Sequence, residues 1–215
     1  MRLELVRRGA DATAPAIILV DSEEHPTSLP AEPTGPCALL CLRVGDWART
    51  LTPWEAPGLR HEDPPFAGQA ASTLEALTER LLPALLAEHD LRPRSLGILG
   101  YSLAGLFALY ATTATDLFRA VSSCSGSLWY EGWLDYLCET PPRVAFCHLS
   151  LGTKEKRAQN ARLKRVERCH DECARILADH GVPCALEKVP GGHLDHVAER
   201  IAHGADVLSD VLMLP

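Results

Sequence analysis

Leu96-Gly97-Ile98-Leu99-Gly100-Tyr101-Ser102-Leu103-Ala104-Gly105-Leu106-Phe107-Ala108-Leu109-Tyr110 is the stretch whose reading decides the fold. An apolar run ends in a small-residue turn around Ser102, and an apolar, helix-favouring run starts at once. That order reads as buried strand, sharp turn, buried helix. A serine at such a turn projects its hydroxyl from the end of a sheet, above a helix N-terminus whose free N–H groups favour negative charge. Attack on a carbonyl needs this geometry, an exposed nucleophile with oxyanion donors beside it. Gly100 lets the backbone approach closely. Ala104 stands where the G-x-S-x-G pattern has its second glycine, and Gly105 follows. The competing reading is a buried serine in a small-residue turn.

Outward from this turn, strand-like and helix-like segments alternate. Ala16–Val20, Cys37–Val44, the run to Leu99, Arg119–Cys124, Val144–Leu151 and Ala185–Val189 read as strands. Ser72 to His89 reads as an amphipathic helix with Leu74, Leu77, Leu81, Leu82, Leu85 and Leu86 in helical spacing. Ser72 with Glu75 fits a capping box, and Pro83 predicts a kink or break. Further helices are expected from the serine turn to about Thr113, over Asn160–His180 with a stop at Gly181 and Pro183, and over Leu194–Leu212 with Gly204 a weak point. Pro-rich Ser22–Pro36 is expected to be a hairpin loop or the remnant of a longer excursion. Gly45–Ala67 is irregular and a candidate pocket wall. The β-α-β-α order predicts a largely parallel sheet covered by helices, in a single domain over residues 1–215. The active site then lies beyond the carboxyl ends of the strands.

Composition bounds the function. The chain has 215 residues, 47% of them hydrophobic, enough for a sizeable core. Net charge of −7 argues against nucleic acid or an anionic membrane as partner. No apolar stretch approaches the ~18 residues that span a bilayer. Met1–Arg8 lacks a long apolar region after its charges, so no secretory signal is expected there. The eight cysteines are scattered, several in strand-like runs, which fits thiols in a reducing cytoplasm. Cys169-His170-Asp171-Glu172-Cys173 invites a zinc reading, but no second ligand pair has suitable spacing, so no metal is expected.

Val189-Pro190-Gly191-Gly192-His193 follows the last strand, and its two glycines make a bare loop able to bring an imidazole to a neighbouring strand end. His193 is the candidate general base, with His196 its nearest rival. Glu155 follows the strand ending at Leu151–Gly152, and Ser102…Glu155…His193 runs in nucleophile–acid–base order. Its alternative is a surface carboxylate paired with Lys154 or Lys156; Asp135, Asp171 and Asp195 are weaker candidates for the acid. The oxyanion hole is expected from the backbone N–H of Leu103 and one from Gly45 or Asp46. Trp47, Trp54, Trp129 and Trp133 flank strand-end loops. Trp47, Trp54, Tyr101 and Trp129 are the candidate substrate pocket, against the alternative of a small core under the loops.

Gly100-Tyr101-Ser102-Leu103-Ala104-Gly105, together with Ser123-Cys124-Ser125-Gly126-Ser127-Leu128-Trp129, resembles the Putative esterase branch of the α/β-hydrolases. That branch includes enterobactin-type siderophore esterases and feruloyl-esterase-like proteins. Asp46–Trp54, Leu151–Lys156 and Gly191–His193 are also similar to segments of small bacterial members. The resemblance runs from about Leu39 to His196. It implies an α/β-hydrolase fold, and serine hydrolysis with Ser102 and His193 in the matching positions. The expectation is therefore a cytoplasmic serine esterase acting on a small-molecule ester without metal or organic cofactor. Alternatives are a siderophore-type trilactone esterase, a thioesterase, and a catalytically weak binding protein on a hydrolase fold. No pattern in the sequence sets an oligomeric state.

Overall fold

Period-2 alternation in the central strands separates two cores. In β2 (Ala16–Ser22), Ala16, Ile18 and Val20 face one side while Ile17 and Leu19 face the other. The computed structural model describes residues 1–27 and 35–214. In chain order, β1 (Arg2–Arg7) and β2 are followed by β3 (Ala38–Val44), a single turn α1 (Trp47–Thr50) and a two-residue hairpin, β4 (Glu55–Ala56) with β5 (Phe66–Ala67). Then come α2 (Ala70–Ala76), α3 (Leu82–Glu88), β6 (Leu96–Tyr101), α4 (Leu103–Ala114), β7 (Ala120–Cys124) and α5 (Trp133–Glu139). β8 (Phe146–Gly152), α6 (Val166–Asp179), β9 (Cys184–Val189) and α7 (Val197–Met213) complete the order.

The main sheet runs β1-β3-β2-β6-β7-β8-β9, parallel except for β1, the largely parallel order expected from the alternation and the α/β-hydrolase layout implied by the resemblance. α4, α5 and α6 cover one face and α7 covers the other. β2 and β3 are parallel neighbours, so the Pro-rich segment between them is a crossover and not a hairpin loop. Residues 28–34 of that segment lie outside the described residues.

Three local expectations change. Ser72 does not cap a helix: α2 already starts at Ala70, whose N–H donates to the Thr52 carbonyl (3.0 Å), leaving Ser72 inside the first turn. The break at Pro83 takes the form of a π-turn over Leu77–Leu81, after which proline opens α3, where its missing N–H costs nothing. Gly204 is not a weak point. A Cβ there would lie 2.6 Å from Ser122 Oγ and 2.9 Å from Cys124 Sγ, so glycine permits α7 to sit directly on β7.

The two glycines of β6 face opposite layers. A Cβ on Gly100 would stand 2.3 Å from the Ala104 carbonyl oxygen, a backbone atom of α4. A Cβ on Gly97 would be tight only against the side-chain tips of Leu212 (3.0 Å) and Leu208 (3.3 Å), with the Ala120 carbonyl oxygen at an ordinary 3.6 Å. Gly100→Ala is therefore expected to lower stability in urea unfolding by about 1–3 kcal/mol, through overpacking against backbone. Gly97→Ala should cost clearly less; equal losses would show that α4 does not confine Gly100.

Candidate active site

Ser102 occupies the turn between β6 and α4 with φ 58° and ψ −121°, a conformation unfavourable for a residue with a side chain. Backbone bonds hold it there. Its N–H donates to Cys124 O (3.0 Å), and its carbonyl accepts from Ser127 N (3.0 Å). The loop after β7 is thereby stitched to the serine turn. Ser127 Oγ lies 3.4 Å from Ser102 Oγ.

His193 arrives from the β9 exit. Gly191 takes φ 108°, and Asp195 Oδ2 accepts from Gly192 N (2.7 Å), which folds the loop back over the sheet edge. The imidazole Nδ1 lies 2.8 Å from Glu155 Oε2, and Nε2 lies 3.1 Å from Ser102 Oγ. An ionised Glu155 accepts from Nδ1–H, which leaves the Nε2 lone pair to accept the serine hydroxyl proton.

Glu155 begins a 3₁₀ turn just beyond β8 and is buried. Its Oε1 accepts from Ser125 Oγ (2.7 Å), Gly152 N (2.8 Å) and Arg200 Nη1 (3.1 Å). Burial alone would push this carboxyl up. The bonds from His193 and Ser125, the imidazole charge and the Gly152 amide outweigh it and hold Glu155 below the ordinary glutamate range. The basic neighbours do not claim it, since Lys156 pairs with Glu167 at 2.9 Å. The rivals are placed elsewhere. Asp171 pairs with Lys188 (2.8 Å), Asp135 sits in the first turn of α5, and His196 is an exposed residue at the start of α7.

Arg200, and the bond of Ser125 to Glu155, are not foreseen by the sequence reading. Arg200 is only 5% exposed, on the sheet side of α7. Nη1 donates to Glu155, to Ser125 Oγ (2.8 Å) and to Tyr101 Oη (2.9 Å), while Nη2 donates to Pro190 O (3.2 Å) and Gly192 O (3.1 Å). Tyr101 Oη in turn donates to the His193 carbonyl (2.7 Å). A signal was present: Arg200 stands three residues after Val197 and four before Gly204, in the apolar stripe of its helix.

A cavity of about 220 Å³ opens beside Ser102, Ser127 and His193, with Leu59, Phe66, Leu103, Trp129, Leu163 and Val166 as its apolar wall. Of the four expected pocket aromatics, Trp129 lines it. Tyr101 braces the His193 loop from below. Trp54 stacks behind the wall on Tyr136 (5.1 Å between centroids) and donates to Glu131 O (2.8 Å). Trp47 donates to Val44 O (3.1 Å) at the end of β3, and Trp133 is core. Leu103 opens α4, where its N–H has no intrahelical acceptor. Gly45 and Asp46 follow β3, and β2 stands between β3 and β6.

A second serine–histidine–glutamate grouping exists: Ser122 Oγ lies 2.8 Å from His148 Nδ1, and His148 Nε2 lies 3.7 Å from Glu187 Oε2. Ser122 and His148 have no exposed surface, so no substrate reaches that serine. Cys169, His170 and Cys173 lie on the buried face of α6. His170 Nδ1 donates to Val166 O (2.8 Å), and burial pushes its imidazole down to about 4.

Residues 27–194 match the family model described as Putative esterase. The chain belongs to that family. Among curated sequences this esterase-family chain is similar to the uncharacterized protein YbbA of Bacillus subtilis, 29% identical over 128 residues. That match takes in 55% of this chain and about half (51%) of the relative. Among solved structures it is similar to the siderophore hydrolase EstA of Aspergillus nidulans, with TM-score 0.68, 19% identity, 93% of this chain and 84% of that one. It is likewise similar to the enterobactin esterase of Shigella flexneri, with TM-score 0.72, 20% identity, 99% of this chain and 60% of that one. At such identities these likenesses establish the shared fold. Among the described residues no helix is long and apolar enough to cross a membrane.

The lowered Glu155 value fixes a pH dependence. A depressed carboxylate contributes stability fully above the unfolded glutamate range, near ~4.3, and loses it as pH falls through the lower native value. The melting-temperature gap between wild type and Glu155→Gln should therefore be widest above about pH 5 and shrink below about pH 4. A gap unchanged down to pH ~3 would contradict this.

Proposed function

We propose that this chain is a serine hydrolase of carboxylic esters, with Ser102 as nucleophile, His193 as general base and Glu155 as the orienting acid. The observation that carries the reading is the hydrogen-bonded line from Glu155 through His193 to Ser102 at the mouth of an apolar cavity. Ser102 Oγ attacks the ester carbonyl as His193 Nε2 takes its proton. Glu155 stays ionised, keeps Nδ1 protonated and stabilises the imidazolium. The developing oxyanion is held by the Leu103 N–H at the start of α4. A second donor comes from the loops that follow β2 or β3. Gly45 and Asp46 are candidates, and the β2 exit is one strand nearer to Ser102. Collapse of the adduct expels the alcohol, protonated by His193. Water, deprotonated by the same imidazole, then releases the acyl group. No step calls on a metal or organic cofactor.

The apolar wall suits a small acyl or aryl group, and the cavity is too small to enclose a large ester whole. One observation favours a second reading, a siderophore-type ester such as those named for the structural relatives. A groove lined by Arg60, His61, Asp63 and Arg162 adjoins the cavity through Leu59, and its two guanidinium groups suit an anionic portion of substrate left outside. The eight cysteines are all unpaired, which supports a reducing, cytoplasmic setting.

A fluorophosphonate probe with an ester panel tests the reading. The wild type should label at Ser102, and Ser102→Ala should fold, fail to label and lose turnover by on the order of 10³-fold or more. Glu155→Gln should lower kcat by about 10²-fold or more with less effect on KM. Labelling at Ser125 or Ser127, or an unlabelled wild type, would overturn the assignment, the latter in favour of a binding protein. Catechol esters turned over faster than simple aryl and short-acyl esters would favour the second reading.

A further inference from the structure

The α7-facing side of β7, β8 and β9 is polar where a covered sheet face is ordinarily apolar. Ser122, His148 and Glu187 stand there, with Ser122 directly across from His148 in the parallel register. His148 has no exposed surface. Its Nδ1 meets Ser122 Oγ at 2.8 Å, so a neutral imidazole that donates from Nδ1 presents a bare Nε2 lone pair. That Nε2 is buried and has no hydrogen-bond partner. It points toward Glu187 Oε2 at 3.7 Å, and the same carboxylate oxygen meets His203 Nε2 of α7 at 2.8 Å. The two imidazoles are nearly perpendicular, 5.8 Å apart.

We propose that His148, Glu187 and His203 form a binding site for a divalent transition-metal ion of the zinc class, which clamps β8, β9 and α7 together. One ligand atom from each lies within 4.8 Å of the other two. Tetrahedral zinc with bonds of about 2.0–2.2 Å needs separations of roughly 3.4 Å. Moving the partly exposed Glu187 and His203 side chains about the fixed, buried His148 Nε2 reaches that. Two imidazole nitrogens and one carboxylate suit zinc and its neighbours. Ser122 is the outer partner that fixes the His148 tautomer, as carbonyls and carboxylates do for many metal-bound histidines. An open groove lined by His203, His196, Glu199 and Arg200 gives the ion an entrance and leaves a fourth position for water. β8 leads to Glu155, β9 leads to His193 and α7 carries Arg200, so the ion would brace all three supports of the candidate active site. The proposal does not depend on that site being an esterase.

The test uses the full chain stripped with a chelator, then titrated with zinc by calorimetry and with cobalt by visible absorption. Wild type should bind one zinc and gain roughly 5–10 °C in melting temperature at a hundredfold excess over Kd. Cobalt should give d–d bands of low coordination number. His203→Gln and Glu187→Gln change partly exposed side chains and should keep the metal-free melting temperature within a few degrees. Each should weaken zinc by at least about 100-fold and abolish the cobalt bands. Control variant His180→Gln, at the far end of α6, should behave as wild type. Three results would overturn the proposal: no stoichiometric zinc in the wild type, unchanged affinity in both ligand variants, or equal loss in His180→Gln.

Discussion

A buried cation holds the carboxyl end of this sheet together. Arg200 reaches from α7 through the sheet's end to Glu155, 3.1 Å away, with both side chains almost wholly withdrawn from water. Burying two charges costs more than their attraction returns unless their remaining donors and acceptors are satisfied. Here most are, and in a consistent direction. Arg200 donates to Tyr101 Oη, which donates to the His193 carbonyl; Arg200 also donates to Ser125 Oγ, which donates to Glu155. The branch through Ser125 ends on the Glu155 carboxylate, which also accepts from Gly152 N and Arg200 itself. The same guanidinium seizes two carbonyls of the His193 loop. Glu155, the His193 loop and the strand before Ser102 are thus indexed to one side chain.

Strain at that edge has a matching support. Ser102 and Ser125 both hold positive φ without being glycine, at the ends of adjacent strands. Each such residue costs of order 1–3 kcal/mol and persists only where its surroundings over-determine it. Ser102 is fixed at both its N–H and its carbonyl by the β7 exit, and Ser125 N is fixed by Ser150 O (2.7 Å). β6, β7 and β8 therefore lock one another's ends in sequence. Both strained hydroxyls serve the edge, Ser102 facing His193 and Ser125 facing Glu155.

Much of this was legible in the sequence because local chemistry encodes it. The serine turn, the glycine-rich histidine loop and a glutamate just past a strand end are each short signals, and parallel order follows from alternation. What was missed is tertiary. β1 has one half-buried face and joins the edge only by antiparallel pairing with β3, which its own sequence does not announce. The start of α2 was misread because a backbone carbonyl from residue 52 caps it in place of a side chain. Trp54 and Trp47 face structural partners, and whether an aromatic lines a pocket or backs it depends on packing that no motif specifies. Arg200 was discoverable as a charge in an apolar stripe, but its partners come from residues 101, 125, 155, 190 and 192.

The two faces of the sheet divide the work. Toward α4 and α6 the strands present Ile98, Val121, Leu149 and Leu186 to a continuous apolar core, and the cavity opens from that side. Toward α7 the apolar face is continuous only under β2, β3 and β6, and gives way to Ser122, His148 and Glu187 as the helix crosses β7 to β9. α7 is therefore held by hydrophobic burial through Leu208 and Leu212 toward its C-terminal end, and by Ile201 with added polar contacts through Arg200 and His203 toward its N-terminal end. Hydrophobic burial tolerates small shifts, whereas hydrogen bonds and charge pairs fix direction. The end that lies beside Glu155 and the His193 loop is the end that carries the directional contacts.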